Sequence, residues 1–411
     1  MADKKITFPP LNEQIDLIRR GTEEIIPEEE LETKLKRSIE TGKPLDVKLG
    51  ADPSRPDLHL GHAVVLQKMR DFQDLGHQAI LIIGDFTAMI GDPSGGSKTR
   101  PALTLEQTRQ NGQTYFDQAT KILSSKRLKI TNNSEWLATM SFANVITLAS
   151  KYTVSQILER DDFSKRFKAE VPISLHELLY PLVQAMDSVA IKSDVELGGT
   201  DQKFNLLVGR DLQRAHDQEP QVIITCPLLV GTGGKEKMSK SLSNYVALND
   251  FPNEMYGKTL SIPDELMPDW FRLTLFYNDN EVEELKKAFE SGEFHPRDLK
   301  RRLARELVAR YTSKKTAQRA EEEFDRIFIK KDVPDDVDAW SVTEPIALTQ
   351  LMVDAGMISS KGEARRLIEG GGVSIDSEKV ANPQLVYEPK GEAILKVGKR
   401  KFLRLVASVE G

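Results

Sequence analysis

One cysteine, Cys226, stands in a chain of 411 residues, which excludes an internal disulfide or a cysteine-built zinc cluster and points to a reducing compartment. Histidine is nearly as scarce, at 6 residues, so no structural metal is expected. No apolar run reaches the roughly 18 residues that read as a membrane span. The opening MADKKITFPP also lacks the apolar stretch of a secretory signal. A soluble, cytoplasmic protein with no membrane partner is the expectation. Nor is there a large excess of charge: the formal net charge of −6 argues against wholesale coating of nucleic acid. The balance is uneven, however. From Pro345 onward there are 10 Lys and Arg against 8 Asp and Glu, leaving 47 against 55 before it, so an RNA partner is expected to meet the C-terminal end first.

The chain is longer than one domain of about 100–200 residues, and a hydrophobic share of 39% can fill two or three cores. Leu11 to about Thr41 reads as a polar helical stretch, and Leu45–Leu49 as a short strand ending in a Gly-Ala-Asp-Pro-Ser turn. Gly61–Leu75 spaces Val65, Leu66, Met69 and Phe72 along one helical face, and Ala79–Ile83 is the continuous apolar run of a strand buried on both sides. Strand, helix and strand at this spacing make a βαβ unit. Thr104 and Gln107 open a further helix with capping-box spacing. More strands are expected near Leu128–Thr131, Asp194–Glu196 and Val222–Thr225, which gives an open α/β sheet. From about Asn249 to Phe328 the pattern is helical and charged, Lys330–Trp340 reads as a solvated linker, and a small α+β unit follows from Pro345. The expected domains are therefore 1–245, 246–330 and 345–411, with 331–344 as linker.

Two constellations carry chemistry. Asp52, closing the first strand, is followed by His59-Leu60-Gly61-His62 at the opening of a helix. Open α/β sheets bind ligands at the carboxyl ends of their strands, and a helix N-terminus offers free N–H groups to anions. Gly61 between two imidazoles leaves room for a planar nucleotide while both rings donate to phosphate. Taken alone, such a pair could equally be capping or surface histidines. The second constellation is Lys237-Met238-Ser239-Lys240-Ser241, a loop behind Gly231-Thr232-Gly233-Gly234. Two lysines on a glycine-hinged loop form a clamp for charge developing on a leaving pyrophosphate. Either motif alone is weak, but their order on a βαβ scaffold is hard to obtain by chance.

With both motifs in place the chain resembles a class I aminoacyl-tRNA synthetase. Gly91-Asp92-Pro93-Ser94-Gly95, Tyr180-Pro181-Leu182-Val183-Gln184-Ala185-Met186-Asp187 and Gly198-Gly199-Thr200-Asp201-Gln202 narrow the resemblance to bacterial tyrosyl-tRNA synthetases. It covers essentially the whole chain, with a C-terminal module like the small RNA-binding domain of ribosomal protein S-four type. The fold it implies is a Rossmann-like parallel sheet catalytic domain, an all-helical domain on the tRNA anticodon side and a small α+β RNA-binding domain. It implies a homodimer that takes L-tyrosine, ATP with Mg2+ as substrate, and tRNA(Tyr).

By the same resemblance His59 and His62 bind ATP phosphates, and Lys237 and Lys240 hold the pyrophosphate. Asp52, Gly61, Gly199 and Asp201 complete the ATP site, with Asp201 on the ribose. Asp92, Tyr180 and Gln184 surround the substrate ammonium, Gln202 faces its carboxylate, and Asp187 accepts from the phenolic hydroxyl. Lys361, Arg365 and Arg366, with Lys396, Lys399, Arg400, Lys401 and Arg404, are the expected RNA contacts; without the resemblance they would equally suit a solvated face. Two positions depart from the family pattern. Lys48 stands where many relatives have a second hydroxyl-contacting Tyr, and Gly96 where many have a lysine, with Lys98 and Arg100 as substitutes. Three competing readings remain: a tryptophan-specific relative, a non-catalytic RNA-binding paralogue, and a P-loop ATPase. Intact histidine and lysine motifs count against the second, and Ser97, which displaces Lys98-Thr99 from the phosphate-loop spacing, counts against the third.

Overall fold

A computed structural model describes residues 6–93, 103–292, 294–329, 337–376, 378–389, 391–398 and 401–407. Ser94, Gly95, Gly96, Lys98 and Arg100, together with Lys399, Arg400 and residues 330–336 of the expected linker region, lie outside the described residues. The chain divides into two compact units, Met1–Ala317 and Gln318–Gly411.

In the first unit six strands, β1 (Glu24–Ile26), β2 (Asp46–Ala51), β3 (Gln78–Ile83), β4 (Leu128–Asn132), β5 (Val195–Gly199) and β6 (Val222–Cys226), form one sheet of order β1-β6-β5-β2-β3-β4. All neighbouring pairs are parallel except β1 against β6. The chain leaves β2 toward β3 and β4 on one side and returns as β5 and β6 on the other. The switch point between β2 and β5 opens the crevice in which such sheets bind ligands. The expected strands are present within a few residues of their expected ends. The helical stretch from Leu11 to about Thr41 is present as two helices with a strand between them. Gly21, at φ +67, follows a helix over Leu11–Arg19, and a second helix starts at Glu28 behind Pro27, leaving β1 between them. Three residues are too few for any periodicity to register.

Helix Leu60–Asp74 buries Val65, Leu66, Met69 and Phe72, each such burial being worth roughly 1.5–3 kcal/mol. The Thr104 box closes as expected, with Gln107 N–H donating to Thr104 Oγ1 at 3.2 Å and Thr104 N–H to Gln107 Oε1 at 2.9 Å. The helices from Pro252 to Tyr311 belong to the same compact unit as the sheet. Trp270, fully buried among them, donates its indole N–H to the Val230 carbonyl at 3.1 Å, and Arg310 reaches Gln67 at 2.7 Å.

The second unit holds a sheet of order β10-β9-β12-β13-β7 and a short pair β11-β8. Its strands are β7 (Ala339–Val342), β8 (Ile346–Ala347), β9 (Val373–Ile375), β10 (Glu378–Lys379), β11 (Val386–Tyr387), β12 (Glu392–Val397) and β13 (Lys401–Ala407), and its helices include Leu348–Asp354 and Lys361–Glu369. Leu348, Leu351, Met352, Ile368, Leu395 and Leu405 form the core. The linker expectation is corrected here. Ala339 and Trp340 begin β7, which pairs parallel to β13, so the unit's sheet starts ahead of Pro345. The acidic and proline-bearing stretch before it masked this short strand.

Candidate active site

Each parallel strand of the first sheet delivers functional groups just past its carboxyl end. Asp52 follows β2, Thr87 lies beyond β3, Asn133 and Trp136 follow β4, Asp201 and Gln202 follow β5, and the lysine loop follows β6. Asp52, Thr87, Asp201, Gln202 and the lysine loop border one cavity of about 880 Å3, and Asn133 and Trp136 stand behind it on Asp187. Of the residues expected in the small-molecule site, His59, Gly61, His62, Lys237 and Lys240 line it, as do Asp52, Gly199 and Asp201. So do Asp92, Tyr180, Gln184, Asp187 and Gln202.

His59 is the N-cap of helix Leu60–Asp74, and the two imidazoles close a reciprocal box. Gly61 N–H donates to His59 Nδ1 and His59 N–H to His62 Nδ1, both at 3.2 Å. The rings stand 3.9 Å apart between centroids. Capping occupies only one nitrogen of each ring: with Nδ1 of each accepting, the proton of each neutral ring sits on Nε2. Burial, then Lys240, pushes His59 down to about 3; His62 is depressed by its packing, by His59 and by Lys240. Both rings are thus neutral donors at physiological pH. A Cβ on Gly61 would come within 3.0 Å of the His59 ring, so the glycine makes room for the cap as well as for a ligand.

Beside the histidines Lys240, 7% exposed, donates to Tyr115 Oη at 2.7 Å and to the Arg55 carbonyl at 3.3 Å. Lys237 pairs with Asp201. The loop is organised by Asn244, whose side chain accepts from Ser239 N–H at 2.8 Å and donates to the Lys237 carbonyl at 3.1 Å.

A polar network also borders the cavity. Tyr180 donates to Asp52 Oδ2 at 2.8 Å and Thr87 to Asp52 Oδ1 at 2.6 Å. Gly84 must be glycine here, because a Cβ would sit 2.0 Å from Asp52 Oδ1. Asp92 accepts from Arg160 at 2.9 Å and from Gln202 at 2.7 Å, while Asn205 donates to Gln184 at 2.9 Å and to Gln202 at 3.0 Å. Tyr180, Gln184 and Asp187 share one face of helix Leu175–Ile191. At the closed end Asp187, 2% exposed, accepts from Trp136 Nε1 at 2.9 Å and Asn133 Nδ2 at 3.4 Å. Burial raises its carboxyl to about 7, against the downward pull of Lys48 and of these two donors.

Sequence reasoning missed Tyr115, Arg160, Asn205, Thr87, Asn133 and Trp136. Asn133 and Trp136 follow the end of β4 directly, and the rule that ligands gather there could have found them. Arg160 and Asn205 carry no local signal. In the second unit Lys361, Arg365 and Arg366 are exposed on one short helix. Lys396 lies over the Phe402 ring at 5.0 Å, and Lys401 is tied to the Met357 carbonyl.

A parallel sheet with a histidine-capped helix on one side of its switch point and a lysine loop on the other is the layout of a class I synthetase, and residues 40–329 match the family model described as tRNA synthetases class I (W and Y). Residues 324–405 match a second model, the tyrosine–tRNA ligase SYY-like C-terminal domain. The chain is 56% identical to a tyrosine–tRNA ligase of Chlorobium luteolum, over 98% of this chain and 99% of that one. It is 53% identical to one from Thermotoga maritima, over 96% and 97%. Among solved structures, the tyrosyl-tRNA synthetase of Archaeoglobus fulgidus complexed with L-tyrosine superposes with a TM-score of 0.63 at 25% identity, covering 76% of this chain and 99% of that chain. The chain belongs to the tyrosine–tRNA ligase family.

Proposed function

We propose that this chain activates L-tyrosine with MgATP and passes the tyrosyl group to the terminal adenosine of tRNA(Tyr), using the cavity as follows. Asp187 at the closed end accepts the phenolic hydroxyl, and Asp92, Tyr180 and Gln184 receive the ammonium. Gln202 steadies the carboxylate, one oxygen of which attacks the α-phosphorus while the bond to the bridging oxygen of the pyrophosphate breaks. No protein nucleophile is needed; positioning and charge stabilisation carry the step. His59 and His62 donate from Nε2 to the phosphates, beside Gly61 and Asp52. Asp201 and the Gly199 backbone take the ribose hydroxyls, which frees Lys237, and Lys237 and Lys240 then neutralise the departing pyrophosphate. In the second half-reaction a ribose hydroxyl of the tRNA attacks the tyrosyl carbonyl and AMP leaves.

The single observation that carries this reading is the convergence of both motifs and Asp187 on one cavity of about 880 Å3. The C-terminal unit is read as the tRNA-binding module, and the helices of 246–330 as the anticodon-side segment. We read the protein as a cytoplasmic homodimer. In support, the segment from Phe142 to Leu175 leaves Phe142, Ile146, Val154, Phe167 and Leu175 more than half exposed. No helix among the described residues is long and apolar enough to cross a membrane.

Amino-acid-dependent ATP–pyrophosphate exchange with all twenty amino acids tests the reading. Tyrosine is expected to support exchange and phenylalanine to be rejected by orders of magnitude, discrimination for which this family is itself the reference case. Stronger exchange with tryptophan or phenylalanine would overturn it.

A further inference from the structure

Lys48 is 1% exposed, and it lies on β2 opposite Glu196 on the adjacent β5. Its ammonium meets Glu196 Oε1 at 2.8 Å. The other carboxylate oxygen of Glu196 accepts from Gln221 and, at 3.2 Å, from Ser188, the residue after Asp187 on the same helix. Glu196 and Asp187 both border the cavity, whereas Lys48 does not. Both donors to Asp187, the Trp136 indole and the Asn133 amide, are neutral. The charges acting on Asp187 are therefore Lys48 from β2, drawing it toward ionisation, and Glu196 from β5, opposing that. Around the same end Asp85 is held by Ser134 and Arg109, Glu135 by Thr131, and Asp211 by Tyr152 and Arg214.

We infer that Lys48, held in place by its buried ion pair with Glu196, is a specificity-determining residue of the hydroxyl end, drawing Asp187 toward the anion without itself touching substrate. This rests on the assignment of Asp187 to the phenolic hydroxyl. An ionised carboxylate accepts a hydrogen bond from the phenol, and phenylalanine leaves it one donor short, with Trp136 and Asn133 alone; a protonated one carries a donor of its own and loses that distinction. Position 48 contributes charge beside a carboxylate that borders the cavity, and Ser188 ties that carboxylate to the helix that bears Asp187.

The test is the pH profile of kcat/KM for tyrosine in the exchange assay, between pH 5.5 and 9, for the full-length protein and for Lys48→Met, Glu196→Gln and the double variant. Lys48→Met is expected to move the acidic limb upward by about one pH unit, costing roughly tenfold at the foot of the limb, with KM for tyrosine rather than kcat taking the change. Glu196→Gln, the near-isosteric variant that also decides the matter if Lys48→Met does not fold, is expected to move it downward. The double variant is expected to return toward the wild-type position. Limbs that superimpose, or that move in the same direction for both single variants, overturn the inference and leave the pair a structural strut. Asp187→Asn separates this from the underlying reading. If that variant still prefers tyrosine to phenylalanine, the assignment of Asp187 falls. If it loses the preference while the limbs of the ion-pair variants stay fixed, only the ion-pair inference falls.

Discussion

The two compact units handle charge in opposite ways. In the first, functional ions are sunk into a cavity and held by named partners: Lys240 by Tyr115, Asp92 by Arg160 and Gln202, Asp187 by Trp136 and Asn133. In the second, Lys361, Arg365 and Arg366 stand exposed on a helix whose buried residues, Ala364 and Ile368, serve only to dock it. Burial suits the first task, because recognising a small molecule needs fixed geometry and a low dielectric in which one misplaced group is costly. Exposure would suit the RNA-binding role proposed for the second, because a polyanion is bound through released counterions and many loosely placed cations.

That contrast can be broken in three places. The largest effect is expected on removing everything from Lys330 onward, which takes the whole C-terminal sheet including β7. Tyrosine-dependent exchange is expected to survive, while tRNA affinity falls roughly 10³-fold and charging with it. A truncated chain that charges tRNA normally would place RNA binding in the first unit alone. Next is Lys240→Ala, expected to slow adenylate formation by about 10²-fold, with tyrosine affinity nearly unchanged, because the lysine matters most as the pyrophosphate departs. Single-turnover kinetics measure this, and a near-normal rate would reduce Lys240 to a strut against Tyr115. The smallest effect belongs to neutralising Arg365 and Arg366 together. The plot of log affinity against log salt is expected to flatten by roughly 0.7–0.9 for each phosphate that the two arginines neutralise, with pyrophosphate exchange untouched.

The two units also differ in how much of them could be read from sequence. In the first, β3 was legible because a strand buried on both faces must be a continuous apolar run, and Asp52, His59 and Lys240 because strand ends and glycine-hinged loops are local features. Arg160 and Asn205 were not, since they come from separate helical segments and meet Asp92, Gln184 and Gln202 only when the chain is folded. The partner of Lys48 was invisible for the same reason: β2 and β5 are neighbours in space but nearly 150 residues apart in the chain. In the second unit the α+β character from Pro345 onward could be read, whereas β7 could not, because four residues beside an acidic stretch give no alternation to detect.

The reciprocal histidine cap has a consequence for how such a sequence can change over time. His59 needs the Gly61 N–H, His62 needs the His59 N–H, and the absence of a side chain at Gly61 is what lets the His59 ring fold back. Replacing either imidazole by a side chain without an acceptor deprives a backbone N–H at the helix start of its partner, and a side chain at position 61 presses on the His59 ring. Positions 59, 61 and 62 are therefore physically coupled: a change at any one of them acts on the helix start and on the pair of Nε2 donors together.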